Sequence, residues 1–304
     1  MRDLIEVGRA KIKNRFMNAS GCFGYGVEFN KIMDLEKLGA IVVKGISSKP
    51  WPGNSGVRIA ETPAGMLNCI GLENPGVDYF LENYLPFLQT KDLSVVVNVI
   101  GHTIDEYGEV AKKLTDSGVC ALEINISCPN VKAGGISMGT SPDIAYEVVK
   151  TVRSETKLPL WVKLSPNVTD IVEIAVAVEE AGADALTLIN TLTGMVIDTK
   201  TKKPLLGNIT GGLSGPAIKP IAIRMVYQVT GNVKIPVIGV GGITCLEDAL
   251  EFFMAGASAV QVGSGLFKEP NLLERLPEEF ETYLNKESLS AEELIGIARR
   301  NLNA

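Results

Sequence analysis

The chain has 304 residues, of which 46% are hydrophobic and 21% are charged, and its formal net charge is −6. This composition is ordinary for a globular protein, and the length is close to that of one α/β barrel, so we expect a single domain over residues 1–304. The acidic balance argues against nucleic acid as a main partner, because nothing supplies the basic surface that a phosphate backbone requires.

Eight strand-like segments alternate with amphipathic segments along the chain. Most are continuous apolar runs, which is typical of parallel strands buried on both faces. We predict strands at 15–19, 40–44, 94–99, 120–126, 159–164, 184–190, 235–240 and 258–263. Helices are predicted at 103–117, 141–156, 169–181, 216–229 and 246–255. Several of them open on a capping residue, such as Thr103 or Thr244, and are followed by glycine. Eight successive βα units predict an α/β fold of the TIM (β/α)8 barrel type.

Cysteine and histidine usage narrows the possible chemistry. The five cysteines are widely spaced and contain no CxxC pair, which disfavours a disulfide framework or a zinc site and favours the reduced thiols of a cytoplasmic protein. The sequence shows no apolar signal-peptide core and no apolar run long enough to span a membrane. Because His102 is the only histidine, proton transfer falls to Cys, Lys, Asp or Glu.

Two connections are too long to be simple barrel loops. Residues 45–93 follow the second strand, and residues 191–214 follow the sixth and are rich in glycine, threonine and lysine. Long insertions without regular structure are usually lids or binding loops. Because both follow a strand, we expect them to lie over the carboxyl-terminal mouth, where barrels keep their active sites.

The fourth strand leads into Asn125-Ile126-Ser127-Cys128-Pro129-Asn130. Pro129 cannot donate a ladder hydrogen bond, so the strand should end there and leave Asn125, Ser127 and Cys128 at the mouth. The thiol of Cys128 can act as a base or a nucleophile. Taken alone, a small buried cysteine at the end of a core strand is the commoner explanation.

Glycine-rich turns lie at the ends of the last two predicted strands, at Gly239-Val240-Gly241-Gly242 and Gly263-Ser264-Gly265. Loops at these positions of a barrel commonly bind phosphate through backbone N–H groups and a helix N-terminus, and glycine lets the backbone approach the anion closely. Tight-turn packing is the alternative explanation. The pattern indicates a ligand that carries phosphate, without distinguishing a cofactor from a sugar phosphate.

Lysines and asparagines also lie at strand ends. Lys44 and Lys163 end the second and fifth strands, and each could form a Schiff base, clamp an anion, stabilise a reduced cofactor or simply reach solvent. Four amides should converge on the mouth, where they would suit a planar ligand such as a pyrimidine or an isoalloxazine edge. They belong to Asn68, Asn98, Asn125 and Asn190.

In these segments the chain resembles the class 1 dihydroorotate dehydrogenases, and the resemblance covers nearly all of it. The segment Asn125–Gly135 is similar to the active-site segment of that family. The other matching segments are Asn18-Ala19-Ser20-Gly21, Lys44-Gly45, Asn68-Cys69-Ile70-Gly71-Leu72, Val97-Asn98-Val99, Lys163-Leu164-Ser165-Pro166-Asn167, Asn190-Thr191, Gly212-Leu213-Ser214-Gly215 and Gly241-Gly242.

The subclass is indicated by a short loop. Lys132-Ala133-Gly134-Gly135 and Met138-Gly139-Thr140 look more like class 1B than class 1A. Class 2 enzymes are similar in fold but carry Ser in place of the cysteine and a membrane-binding N-terminal extension, and this sequence shows neither. Cys69 departs from the family, in which a small residue is expected, and should be a passive neighbour.

The resemblance implies an FMN-dependent oxidation of dihydroorotate to orotate in de novo pyrimidine biosynthesis. The FMN phosphate would lie on Gly241, Gly242, Gly263 and Ser264, and the ring and ribityl chain would contact Ser20, Lys44, Gly45, Asn98, Asn125, Lys163, Ile189 and Gly215. Dihydroorotate would be held by Lys44, Asn68, Cys69, Ile70, Gly71, Leu72, Asn125, Asn190 and Thr191. Cys128 would take the C5 proton while a hydride passes from C6 to the flavin.

Similarity to class 1B further implies a separate subunit that carries FAD and a [2Fe–2S] cluster and passes electrons to NAD. Two catalytic chains would pair within a heterotetramer. The nearest alternatives keep FMN and change the acceptor or substrate, as in a fumarate-using class 1A enzyme or a dihydropyrimidine dehydrogenase-like one. More distant alternatives are a Schiff-base lyase or isomerase of sugar phosphates and a non-catalytic barrel subunit.

Overall fold

Eight parallel strands form one sheet in the structure, a computed structural model that describes residues 4–127, 132–133 and 136–302. Each strand lies within a predicted segment or extends it by up to two residues. The strands are β1 (Phe16–Asn18), β2 (Ile41–Ile46), β3 (Val95–Val99), β4 (Ala121–Asn125), β5 (Leu160–Lys163), β6 (Ala185–Leu188), β7 (Val237–Val240) and β8 (Ala259–Val262). The predicted TIM barrel is confirmed.

The sheet closes through a side chain. Each strand pairs with the next along the chain from β2 to β8, and β8 pairs with β1. Between β1 and β2, the Asn18 amide donates to the Val42 carbonyl at 2.7 Å and accepts from the Val42 N–H at 3.0 Å. The buried Asn18 side chain therefore takes the place of a ladder hydrogen-bond pair at this seam.

Helices fill the connections between the strands. In chain order they are α1 (Val77–Asn83), α2 (Leu85–Gln89), α3 (Ile104–Leu114), α4 (Pro142–Glu155), α5 (Ile171–Glu180), α6 (Lys219–Val229), α7 (Leu246–Ala255), α8 (Gly265–Lys268), α9 (Leu272–Glu287), α10 (Ala291–Leu294) and α11 (Ile297–Arg300). Short 3₁₀ turns lie at Phe29–Lys31, Leu35–Lys37 and Pro216–Ile218.

The capping predictions are partly confirmed. Thr103 caps α3 by accepting from the Glu106 N–H. Thr244 is not the cap of α7, since Cys245 occupies that position. Instead, the Thr244 hydroxyl and N–H both donate to the Asp248 carboxylate, at 2.8 and 2.7 Å. Thr244 therefore donates to a side chain of the first turn, whereas an N-cap side chain accepts from a backbone N–H of that turn.

The hydrophobic core has two main parts, divided by the wall of the barrel. The larger lies between the strands and the helices. The smaller fills the lower part of the barrel around Trp161 and includes Val7, Ala10 and Ile12 of an N-terminal hairpin (Ile5–Val7 with Ala10–Ile12). The Trp161 indole N–H donates to the Val7 carbonyl at 3.2 Å. The hairpin therefore closes the amino-terminal end of the barrel.

The two long insertions are not irregular, and that expectation is wrong. Ile59–Thr62 and Gly65–Asn68 from the first pair with Leu192–Met195 and Thr210–Ser214 from the second in one antiparallel sheet. A further hairpin joins Ile197–Asp198 to Lys203–Pro204, and Lys132–Ala133 pairs with Ile136–Ser137. The sheet depends on partners more than 140 residues apart (Asn68 opposite Gly212), which local patterns do not reveal.

Within the described ranges, no helix combines the length and the apolar character needed to cross a bilayer.

Candidate active site

A polar layer lies inside the barrel directly above its apolar lower core. The layer consists of Asn98 (β3), Glu123 (β4), Lys163 (β5), Thr187 (β6) and Gln261 (β8), all of them buried. The residues two positions earlier on these strands belong to the lower core: Val96, Ala121, Trp161, Ala185 and Ala259. Because side chains alternate along a strand, the same inward-facing rows carry apolar residues below and polar residues near the mouth.

Glu123 lies at the centre of this layer. One carboxylate oxygen accepts from the Asn98 amide at 2.8 Å, and the other accepts from the Gln261 amide at 2.7 Å. The Lys163 ammonium lies 3.8 Å from the first oxygen. A fully buried carboxylate is costly without such partners, so this cluster is stable only as a connected unit.

A chain of amides leads from Glu123 to the mouth. Asn125 donates to the Asn98 side-chain oxygen at 3.4 Å. The Asn125 side-chain oxygen accepts from the Ser127 hydroxyl at 2.7 Å and from the Asn190 amide at 3.5 Å. Three of the four predicted asparagines, Asn98, Asn125 and Asn190, therefore converge as expected.

Asn68 does not join this chain directly. Its amide donates to the Gly212 carbonyl at 3.3 Å, across the sheet of the insertions. Gly212 in turn packs on Thr191, since a Cβ at position 212 would lie 2.0 Å from the Thr191 hydroxyl oxygen. The Thr191 N–H donates to the Asn190 side-chain oxygen at 2.7 Å. Asn68 and Thr191 thus border the amide chain through the insertion sheet.

Lys44 and Gly45 lie on the opposite side of the mouth, on β2. A Cβ at Gly45 would lie 3.0 Å from the Asn98 side-chain oxygen, so the glycine makes room for that amide. The Lys44 side chain is half-buried. Burial is the main influence on its pKa and lowers it, while Glu73 opposes this effect and Arg58 adds to it. Arg58 and Glu73 form an ion pair at 2.5 Å beside Lys44.

The segment Asn68–Leu72 is held through its backbone. Asn54 holds it by donating from its N–H to the Ile70 carbonyl at 3.0 Å and from its amide to the Cys69 carbonyl at 2.9 Å. Gly71 and Leu72 both have positive φ. The Cys69 thiol faces the small apolar core of the insertions and donates to the Val57 carbonyl at 3.5 Å. This agrees with a passive role for its side chain.

The loops that carry the predicted phosphate glycines meet the loop of Gly215, which was predicted to contact the ring or the ribityl chain. Gly215, Gly241 and Gly242 have φ of 102°, 131° and 76°, in the region that favours glycine. A Cβ at Gly242 would lie 2.9 Å from the Gly215 carbonyl oxygen, and one at Gly265 would lie 2.4 Å from the Ile243 carbonyl oxygen. The loops after β6, β7 and β8 therefore form one compact backbone surface. The helix after β8 has only four residues, so the turns rather than a long helix dominate there.

The remaining predicted residues lie around these groups or outside the described chain. Ile189 directly follows β6, is buried and donates its N–H to the Val240 carbonyl at 2.9 Å. Ser20 lies in the loop after β1, and Ser264 follows Gly263 after β8. Cys128 falls outside the described residues, one position beyond the buried Ser127.

Cys22, which was not among the predicted site residues, lies at the mouth. A Cβ at Gly263 would lie 3.5 Å from the Cys22 sulfur, which places this thiol beside the loop after β8. Burial raises the pKa of Cys22 to about 11, and the Lys163 charge opposes that shift. Cys22 is therefore a neutral thiol near neutral pH.

Glu123, Thr187 and Gln261 were also not predicted. Each is a polar residue between two apolar neighbours in a short strand. The signal that could reveal it is its position in an inward-facing row. Glu123 lies two positions before Asn125, and Gln261 lies two positions before Gly263. Both therefore share the row of a predicted site residue.

The residues present fit a flavin mononucleotide. The side-chain oxygens of Gln261 and Thr187 are buried and have no hydrogen-bond partner among the described residues, which indicates that a ligand group completes them. Asn98 and Asn125 supply donors and acceptors, Lys163 supplies a positive charge, and the glycine surface can approach a phosphate closely. The donor set thus matches a planar heterocycle joined to a phosphate.

Comparison with known proteins identifies the family. A family model described as dihydroorotate dehydrogenase matches residues 5–284. The chain belongs to the dihydroorotate dehydrogenase family. Similar relatives include proteins of Geotalea uraniireducens and Geotalea daltonii, 57% and 56% identical over 96% of this chain and 96% of theirs. A Geobacillus protein is 56% identical over 90% of this chain and 89% of its own.

Each of these relatives is named the catalytic subunit of dihydroorotate dehydrogenase B (NAD(+)). The family and the B-type resemblance predicted from the Cys-Pro-Asn segment and the loop after it are therefore confirmed. The dihydroorotate dehydrogenase relatives also match over the insertions, since the alignments span nearly the full length of both chains.

Proposed function

We propose that this chain is the catalytic subunit of a B-type dihydroorotate dehydrogenase and oxidises dihydroorotate to orotate in pyrimidine biosynthesis. The observation that carries the proposal is the convergence of Asn98, Asn125 and Asn190 above the buried Glu123–Lys163 pair at 3.8 Å. A chain of amides of this kind recognises a cyclic imide through alternating donors and acceptors. The names of the relatives support the same substrate.

FMN, when bound, supplies the hydride acceptor. The chain would hold its phosphate on the surface formed by Gly241, Gly242, Gly263 and Ser264. Its ring and ribityl chain would lie near Ser20, Lys44, Gly45, Asn98, Asn125, Lys163, Ile189 and Gly215. The contribution of Lys163 is a positive charge held in the barrel by Glu123, which favours an anionic ligand beside it.

The substrate would be held on the other side of the same amides. Lys44 supplies a cation for the substrate carboxylate, and its partial burial makes that pairing stronger than at an exposed surface. Asn125 and Asn190 orient the ring, and the backbone of Asn68–Leu72 with Thr191 covers it. The insertion sheet borders Thr191 through Gly212, and there it would limit the access of water to the bound ring.

Cys128 would act as the base that takes the proton from C5. It follows Ser127, which the structure holds at the mouth through its hydrogen bond to Asn125. The ordinary pKa of a thiol, about 8.5, is within reach of neutral pH. Cys22 is a poorer candidate, because burial raises its pKa to about 11.

A partner subunit would remove the electrons. The relatives are named as catalytic subunits that use NAD(+), which supports a separate subunit for the transfer. We propose that this subunit carries FAD and a [2Fe–2S] cluster, and that two copies of the present chain pair within a heterotetramer. We further propose that residues 1–304 form one domain and that the protein works in the cytoplasm.

The proposal is tested by purifying the chain and recording its absorption spectrum. We expect one non-covalent FMN per chain, and we expect dihydroorotate added without oxygen to bleach the flavin absorption. A colourless chain that takes up no added FMN would refute the proposal. A chain that binds FMN but is not reduced by dihydroorotate would refute the substrate alone.

A further inference from the structure

Glu123 differs from its neighbours in the polar layer because it can only accept hydrogen bonds. An ionised carboxylate has two acceptor oxygens and no donor, whereas an Asn or Gln amide has a donor end and an acceptor end of almost the same shape. The two oxygens of Glu123 accept from two different amides, Asn98 and Gln261. Each amide must therefore turn its NH2 group toward Glu123 and its oxygen away.

The orientation of Asn98 determines that of the next amide. With its NH2 on Glu123, Asn98 offers its oxygen to the Asn125 NH2 at 3.4 Å. Asn125 must then direct its own oxygen to the mouth, where it accepts from Ser127 at 2.7 Å and from Asn190 at 3.5 Å. Reversing Asn98 would place two NH2 groups against each other, which leaves buried donors unpaired.

The other carboxylate oxygen of Glu123 fixes the orientation of the Gln261 amide in the same way. Its NH2 is held by Glu123 at 2.7 Å, and its own oxygen is buried without a partner among the described residues. Gln261 lies two positions before Gly263, which belongs to the loop assigned to phosphate binding. By holding the NH2 group of Gln261, Glu123 turns the Gln261 oxygen toward the side of the barrel where the flavin is proposed to bind.

We propose that Glu123 is a positioning residue that fixes which way the Asn98, Asn125 and Gln261 amides point. It thereby sets the arrangement of hydrogen-bond donors and acceptors that orotate and FMN contact at the mouth. Glu123 is two positions from Asn125 on β4 and 0% exposed, so it acts through these amides. The inference rests on the proposed function, because it names the ligands of that site.

The substitution Glu123→Gln tests the inference with almost no change in shape. A glutamine has only one oxygen, so it cannot accept from Asn98 and Gln261 through separate oxygens as Glu123 does. At least one of the two amides must then reverse. We expect orotate to bind the oxidised FMN-loaded variant about tenfold more weakly, because a reversed amide leaves a buried group unpaired. Orotate binding is measured from the shift it causes in flavin absorption, without turnover.

The sign of this change separates amide orientation from direct repulsion between Glu123 and orotate, and the paired exchange below separates it from loss of the Glu123–Lys163 ion pair. Orotate is an anion, so loss of the negative charge at position 123 would by itself tighten its binding. Because reversal of Gln261 alone would alter the flavin side and spare Asn98, the inference is overturned when Glu123→Gln binds both orotate and FMN as tightly as the parent chain or more tightly. The affinity of the flavin-free chain for FMN, measured by quenching of flavin fluorescence, is expected to fall in the same variant.

A paired exchange provides the rescue. In the double variant Glu123→Gln/Gln261→Glu, the new carboxylate on β8 accepts from the new amide on β4, whose oxygen is then free to accept from Asn98. The exchange thus restores the orientation of Asn98, a free acceptor oxygen on β8, and the total charge. We expect orotate affinity within about threefold of the parent chain. Loss of binding in the exchange as severe as in the single variant would overturn the inference.

A matched control is Glu179→Gln on α5, outside the site. Glu179 also accepts two N–H groups, from Lys234 and Ile235, but it does so through one oxygen that glutamine retains. We expect its orotate and FMN affinities to be unchanged. If Glu123→Gln does not fold, the exchange decides alone: parent-like binding supports the inference and lost binding overturns it. A parent chain that binds neither FMN nor orotate would instead refute the proposed function.

Discussion

At the scale of single residues, Cys22 and Cys128 are assigned different roles. Cys22 lies beside Gly263 within the described structure, and burial raises the pKa of its thiol to about 11. Cys128 is the residue that the family resemblance assigns to catalysis. The reactivity of each thiol toward an alkylating reagent depends on its thiolate fraction, so the two can be distinguished in solution.

We expect Cys22 to react slowly with iodoacetamide near neutral pH and faster as the pH approaches 11, its raised pKa. The neutral thiol is favoured in the fold, so its contribution to stability is present below the ordinary thiol pKa and is lost as the pH rises toward about 11. Mass mapping of the modified peptides measures the rate. Alkylation of Cys22 at the rate of a free thiol at pH 7.5 would contradict this assignment.

Cys128→Ser should slow flavin reduction by dihydroorotate by about 100-fold or more at neutral pH while leaving FMN bound. A hydroxyl is much harder to deprotonate than a thiol, so the loss should diminish as the pH rises. Rapid mixing with dihydroorotate under anaerobic conditions gives the rate at each pH, and Cys22→Ser serves as the matched control. Reduction at the parent rate would show that Cys128 is not the base.

At the scale of elements, the barrel depends on a side chain to join its first and second strands. Asn18 makes both hydrogen bonds to Val42, at 2.7 and 3.0 Å, in a buried position. Asn18→Ala leaves the Val42 N–H and carbonyl without these partners, and we expect the free energy of unfolding to fall by about 2–4 kcal/mol. Urea denaturation followed by circular dichroism measures the change.

A suitable control for this variant is Asn83→Ala at the end of α1. The Asn83 amide also donates to a backbone carbonyl, that of Tyr79 at 3.1 Å, but it is exposed. We expect its effect to stay within about 0.5 kcal/mol. Equal effects of the two substitutions would show that the seam does not depend on Asn18.

The insertion sheet determines which part of residues 191–214 can move as a lid over the substrate. Leu192–Met195 and Thr210–Ser214 are paired strands, whereas most of the residues between them are exposed. We expect orotate to slow amide hydrogen exchange across 191–214, most strongly at 196–209. Mass spectrometry of peptides measures the exchange, with α9 as a region that should not respond. Equal protection with and without orotate would exclude a lid.

Sequence patterns predict the barrel better than they predict the insertions. The strands follow from short continuous apolar runs such as Ile41–Val43, and the converging asparagines follow from their places at strand ends. The insertion sheet could not be predicted, because Asn68 pairs opposite Gly212 through tertiary contact alone. Glu123 and Gln261 were missed because one polar residue within an apolar run does not change the pattern of a strand.

At the scale of the whole molecule, the proposed function requires a second protein to accept electrons. We expect the chain alone to reduce its flavin with dihydroorotate but to turn over NAD only when the partner subunit is added. An acceptor assay with NAD and with fumarate, with and without the partner, measures this. Efficient fumarate reduction by the chain alone, with no gain in NAD reduction from the partner, would place it with the class 1A enzymes.

The closed lower end of the barrel has a consequence for kinetics. Trp161 and the N-terminal hairpin fill that end, with the indole N–H on the Val7 carbonyl at 3.2 Å. A small molecule bound above the polar layer therefore cannot enter or leave through that end of the barrel. Dihydroorotate cannot enter until orotate has departed, so orotate should act as a competitive inhibitor toward dihydroorotate. Because the flavin must give up its electrons before a second dihydroorotate can be oxidised, oxidation of the substrate and reduction of NAD should alternate as two half-reactions. Such a scheme gives parallel lines in double-reciprocal plots.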